Sequence, residues 1–164
     1  MSKSSHYAIA LAMVGLSVSS SAQQDPHNMV LPDQVVWGPA SPKLPAGAQI
    51  SVILGDMSKP GEPYVFRARL PDGYRVAPHT HPMDEHVTVI AGVMMLGFGE
   101  RREEERMHEL PAGSFVTLPS GMPHYNRMKG ETILQFHGIG PYDINYVDPK
   151  DDPSRVQRSA AQDG

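Results

Sequence analysis

Gly73-Tyr74-Arg75-Val76-Ala77-Pro78-His79-Thr80-His81-Pro82-Met83-Asp84-Glu85, followed after six residues by Gly92, is the stretch from which the rest of the chain is read. It sets two histidines and a glutamate at a spacing that suits a metal ion and has no purpose in a hydrophobic core. On an extended strand, side chains two apart point to the same face, so His79 and His81 present both imidazoles on one side, about 7 Å apart along the chain. Such a pair can chelate. Glu85 follows a Pro-Met-Asp corner and can return on the next strand to offer a carboxylate to the same point. A second cluster, Gly113, Pro119, Gly121 and His124, can bring a third imidazole. Three neutral nitrogens and one carboxylate suit a first-row divalent metal: Mn, Fe, Co, Ni, Cu or Zn.

These two spacings resemble the paired motifs of the cupin superfamily. In the first, glycine, His-x-His, glutamate and glycine fall at Gly73, His79, His81, Glu85 and Gly92. In the second, Gly113, Pro119, Gly121 and His124 fit, while Met128 stands where the family pattern has asparagine. That asparagine is not one of the family's four ligands, so the departure leaves the metal set intact. The resemblance implies an all-β jelly-roll barrel, the double-stranded β-helix. It assigns His79, His81, Glu85 and His124 as ligands of one divalent transition metal per chain. At family level it also implies a homodimer.

The chain has 164 residues, a single domain by size, with a net charge of −4 and a pI near 6.0. That charge gives no basic footprint for nucleic acid. The absence of cysteine excludes thiolate metal sites, zinc fingers, iron-sulfur clusters and disulfides. Lys3, an apolar run over residues 7–18, then Ser20, Ser21 and Ala22 follow the order of a secretory signal. The apolar run is too short to span a bilayer. The expected organisation is a signal peptide over 1–22, an N-terminal arm over 23–43 that packs on a partner subunit, a barrel over 44–147 and a disordered tail over 148–164. A periplasmic or secreted protein with no membrane association after cleavage is the corresponding expectation.

Short apolar runs alternate with Gly, Pro and Asp turns, the pattern of an all-β sandwich or barrel. Strands are expected over residues 35–37, 49–54, 64–70, 75–78, 86–90, 93–98, 114–118, 124–127, 132–137 and 144–147. Tyr64, Phe66, Ala68 and Leu70 share one face, and Val65, Arg67 and Arg69 the other. Pro71-Asp72-Gly73 is a turn, with proline fixing φ. The charged run over 100–106 reads as a short exposed helix between the two motif halves. The methionines crowding the second half read as flexible core filler.

Four protein ligands leave about two positions of an octahedron open, the arrangement of a site that binds something exchangeable. With Glu85 ionised, a divalent ion there keeps a net charge near +1, which attracts an anionic substrate or activates water or dioxygen. Gln135 and His137, on a strand expected to cross behind the motifs, are candidate pocket residues, as are Arg67 and Tyr125. Three readings follow. The first is an oxygenase on a small organic substrate with Glu85 doubling as base, by analogy with cupins of the same ligand set. The second is a metal-dependent lyase or isomerase, and the third a non-catalytic metal- or small-molecule-binding module.

Overall fold

The computed structural model describes residues 27–155. Within them nine strands form one antiparallel sheet that curls on itself: β1 (Gly38–Pro39), β2 (Gln49–Leu54), β3 (Pro63–Leu70), β4 (Arg75–Thr80), β5 (Glu85–Phe98), β6 (His108–Pro111), β7 (Phe115–Leu118), β8 (His124–Ile139) and β9 (Asn145–Tyr146). The order runs β1-β2-β3-β8-β4-β9, and β5 pairs with β6, β7 and β8. The two long strands close the barrel because each pairs with three others. The first half of β8 pairs with β4 and its second half with β3, while β5 runs antiparallel to it from Glu85↔Gly138 to Phe98↔His124. This is the jelly-roll architecture.

Residues 86–90 and 93–98, expected as separate strands, are one strand, and so are 124–127 and 132–137. Between residues 90 and 93, where two separate strands require a corner, the strand instead carries a pair of bulges, with register shifts on both sides of Ala91. Gly92 makes the bend possible. It has φ of 74°, and a Cβ there would sit 2.4 Å from the Glu131 carbonyl oxygen. Only glycine combines that backbone with that approach. Bent in this way, one strand contributes to both walls of the barrel.

The inner face follows the expected alternation. Tyr64, Phe66, Ala68 and Leu70 are all buried, with Val87, Val89, Met94, Leu96, Met128 and Leu134 packed among them. Phe66 and Phe136 stack across β3 and β8 at 4.7 Å, with 9° between their planes. Burying each large apolar side chain stabilises the fold by roughly 1.5–3 kcal/mol. Met94 and Met128 fill core space as expected.

The charged run forms a single 3-10 turn, Glu104–Arg106, where a short helix was expected. Arg102 turns inward from it to donate to the carbonyls of Val76 (2.8 Å) and Asn126 (3.2 Å), which fastens the segment to the barrel. The described part of the N-terminal arm lies on its own barrel. The strand expected at 35–37 is shifted to Gly38–Pro39, paired with β2, and Arg69 sits 4.3 Å over the Trp37 ring. Strand β6, with Leu110 its one large apolar residue, was not expected as a strand, yet it pairs with the second half of β5. In the segment expected as a disordered tail, Asp148 caps a 3-10 turn, Pro149–Asp151. The expected signal peptide lies outside the described residues.

Candidate metal centre

Strand β4 delivers the first two histidines. Val76 and His79 are three apart and would face opposite sides of a regular strand. A register shift between them, at Ala77 and Pro78, turns both inward. Proline suits that bulge because it has no N–H to lose from the ladder. His79 then pairs directly with His124 on β8. His81 lies just beyond the end of β4 on the same face, and Glu85 opens β5. The ring centroids of His79 lie 4.9 Å from those of His81 and 4.3 Å from those of His124. All four side chains are buried, none more than 5% exposed.

Each histidine has one nitrogen tied to backbone. The Nδ1 of His79 is 2.7 Å from the Ala77 carbonyl, that of His81 is 2.6 Å from the Asp143 carbonyl, and that of His124 is 3.0 Å from the Met122 carbonyl. A carbonyl only accepts, so each Nδ1 carries the proton and each Nε2 keeps a lone pair. One ligating nitrogen from each of the three residues falls within 4.8 Å of the others. Glu85 Oε2 lies 3.5 Å from His81 Nε2 and 4.0 Å from His124 Nε2.

Electrostatics point the same way. Burial holds the His79 imidazole well below its ordinary value, aided by the neighbouring His124 and His81. Burial and His124 bring His81 down to about 4, and burial lowers His124. All three are neutral at pH 7. Burial pushes the Glu85 carboxyl up to about 8, against a hydrogen bond from Tyr142 that lowers it. His81 Nε2 and Glu85 Oε1 are buried with no hydrogen-bond partner among the described residues. Leaving buried polar atoms unpaired costs roughly 1–3 kcal/mol each. A divalent cation satisfies both and offsets the cost of a buried carboxylate. These donors therefore fit the ion that the motif spacings imply.

The other candidate residues do not reach this chamber, and the two-residue period of a strand is the reason. On β8 the inward positions are Leu134, Phe136 and Gly138, which leaves Gln135 and His137 on the outer face. Gln135 accepts a hydrogen bond from Arg67 Nε at 3.0 Å. His137 stacks on His86 at 5.0 Å and lines a separate outer cleft of about 650 Å³. Tyr125 follows His124 and points the opposite way. Its hydroxyl accepts from Glu103 N (2.9 Å) and donates to Glu103 O (3.1 Å), and its ring lies against Gly97.

Sequence reading missed Tyr142 and Asn126. Tyr142 stacks on His81 at 5.1 Å with 23° between the planes, and it hydrogen-bonds Glu85. It sits in a connector after Gly140-Pro141 where no periodicity marks an inward residue. Asn126 lies two residues after His124 and lines the same chamber, a space of about 40 Å³ shared with His79, His81, Glu85 and Leu134. Its inward parity was readable from the motif.

A family model described as "Domain of unknown function (DUF4437)" matches residues 28–161. No curated protein matches. Among solved structures the chain is similar to the polyketide cyclase RemF from Streptomyces resistomycificus, with TM-score 0.63, 15% identity, and 80% of this chain and 93% of that one covered. It is similar to a putative acetylacetone dioxygenase from Methylibium petroleiphilum, with TM-score 0.59, 16% identity, and coverage of 80% and 88%. It is also similar to an RmlC-like cupin from Shewanella frigidimarina, with TM-score 0.53, 12% identity, and coverage of 78% and 98%. At these identities the likeness carries the fold alone. The chain belongs to the DUF4437 family, and its curled jelly-roll barrel, with both motif spacings seated in it, is the fold of these cupin-type structures.

Proposed function

We propose that this protein is an exported enzyme in which His79, His81, Glu85 and His124 hold one divalent transition ion, and that it carries out oxygenase-type chemistry on a small organic substrate. The observation that carries the reading is the orientation of the imidazoles. Three Nδ1–H groups are committed to backbone carbonyls, which turns three Nε2 lone pairs toward one point inside a closed barrel. A structural histidine cluster has no need of that arrangement, whereas a metal site requires neutral imidazoles held in one tautomer.

When bound, the ion supplies Lewis acidity and, if redox-active, activation of dioxygen. The chain's own residues do the rest. Glu85 Oε1, buried and without a partner, is the atom that can hold or accept a proton beside the substrate. Tyr142 orients that carboxylate, and with Leu44, Phe66 and Ile144 it excludes bulk water from the chamber. The descriptions of two structurally similar proteins, a cyclase and a putative dioxygenase, are consistent with an enzyme on this fold. Export rests on the leader-like order of residues 1–22.

The test is the elemental content of protein purified from its native compartment without chelator or added metal. About one iron, manganese or copper per chain is expected, followed by oxygen uptake on keto-acid or phenolic substrates. His124→Ala is expected to lose the metal and keep its β-rich circular dichroism spectrum. Full metal content in that variant contradicts the ligand assignment, and stoichiometric zinc in the wild type contradicts oxygenase chemistry.

A further inference from the structure

We propose that Tyr142 divides the ligand site in two and sets its size selectivity, and that Asn126 recognises a hydroxyl or enol on the substrate's head group. The inference rests on the metal-site reading above and deepens it to a substrate class.

Two cavities share a wall. The inner chamber of about 40 Å³ is lined by His79, His81, Glu85 and Asn126. The outer cleft of the pair, about 220 Å³ and distinct from the one lined by His137, is walled by Leu44, Ile50, Met57, Phe66 and Ile144, with Asp56 and Asp143 also on its wall. Four residues line both spaces: Leu44, Phe66, Tyr142 and Ile144. Of these, Tyr142 alone touches the ligand cluster through both a ring stack on His81 and a hydrogen bond to Glu85.

Its ring is held from several sides. The backbone N–H of Tyr142 donates to Met57 O at 2.7 Å, and Phe66 meets the ring edge-on at 5.1 Å. The next residue, Asp143, accepts from Lys43 Nζ at 2.7 Å and supplies the carbonyl that fixes His81. A partition anchored in this way admits a narrow head group and stops a wide one.

The inner chamber has room for roughly three water-sized groups, at ~10–15 Å³ each. That space suits a carboxylate or enolate oxygen pair and no ring. Neutral imidazoles and one carboxylate around a divalent ion leave a net charge near +1, so the head group is anionic. Asn126 Oδ1 is a buried acceptor with no partner among the described residues. It calls for a donor beside that anion, which a hydroxyl supplies. The outer cleft is apolar on most of its wall and smaller than the ~300–1,000 Å³ of sites for drug-sized ligands. The substrate class is therefore a small hydroxy- or enol-acid carrying a compact apolar body.

The experiment is calorimetric binding to the full chain loaded with zinc, with zinc content measured on every variant. Lactate, mandelate, phenylacetate and 2-naphthylglycolate serve as probes. The wild type is expected to bind mandelate at least tenfold tighter than phenylacetate, which lacks the hydroxyl, and tenfold tighter than the naphthyl acid. Asn126→Leu is expected to abolish the hydroxyl preference and keep the size preference. Tyr142→Ala is expected to do the reverse, binding the naphthyl acid at least tenfold tighter than the wild type does. Tyr142→Leu, which keeps apolar bulk against Phe66, carries the same test if the alanine variant does not fold. Unchanged ligand ranking in either variant at full zinc content overturns the proposal. A wild type that takes up no metal overturns the metal-site reading instead.

Discussion

Replacing Glu85 by glutamine isolates the electrostatic cost on which the metal argument depends. Glutamine matches the shape of the protonated carboxyl and cannot ionise. In protein stripped by chelation, burial raises the Glu85 carboxyl to about 8 from an ordinary 4.5. An acid whose folded value is raised keeps its proton in the folded state while the unfolded chain has already lost it. The contribution of this group to stability is then greatest below pH 4.5 and is lost as pH rises towards 8. At about 1.4 kcal/mol per pH unit, the wild type should lose about 4 kcal/mol relative to Glu85→Gln between pH 5 and pH 9. The histidines titrate in both proteins and cancel in the comparison. Urea unfolding followed by far-ultraviolet circular dichroism at four or five pH values measures the difference. Adding a stoichiometric divalent ion should flatten the wild-type trend, because the ion holds the carboxylate in its charged form. A stability difference that stays within about 1 kcal/mol across the range, where about 4 is expected, would refute the idea that this chamber demands a cation.

Gly92→Ala should destabilise by about 2 kcal/mol or more, since the new Cβ meets the Glu131 carbonyl and the backbone has positive φ; an unchanged thermal midpoint would remove the bulge account. Leu134→Ala, at a site only 1% exposed, should cost about 2–5 kcal/mol in chemical denaturation. Tyr125→Phe removes both hydrogen bonds to Glu103, so trypsin should cleave more readily at the arginines of residues 100–106 while metal content stays the same. A loss of metal in that variant would return Tyr125 to the pocket.

Most of the barrel was legible because its signals are local. Tyr64 to Leu70 alternates with the period of a strand, so its inward face could be read directly. The merging of residues 86–90 with 93–98 was not legible, because Ala91-Gly92 reads as a turn unless the neighbouring strand is known. What makes it a bulge is the Glu131 carbonyl, 39 residues further along. Strand β6 was invisible for a related reason. His108 to Pro111 show no alternation of their own and form a strand because Val93 to Leu96 present an edge to pair with.

At the site, the spacing in one stretch of chain was enough to bring out the donor chemistry: His79, His81 and Glu85, with His124 from a second motif. Parity within each strand is set locally, so it survives without knowledge of the fold. Only the tertiary structure decided how those donors are held and what surrounds them. The carbonyls that fix the imidazoles come from Ala77, Met122 and the distant Asp143. The bulge at Ala77 and Pro78 needs β8 to define it. Gln135 and His137 were named without knowing which face of β8 turned inward there, which its pairing with β3 and β5 decides, whereas Arg67 lies on the outer face already read for its strand and Tyr125 directly follows the inward His124. Tyr142 enters the chamber from a connector whose path is dictated by Met57 and Lys43. Spacing along a strand encodes which groups can share a face, whereas burial, tautomer and the shape of a cavity are properties of segments that meet only when the chain has folded.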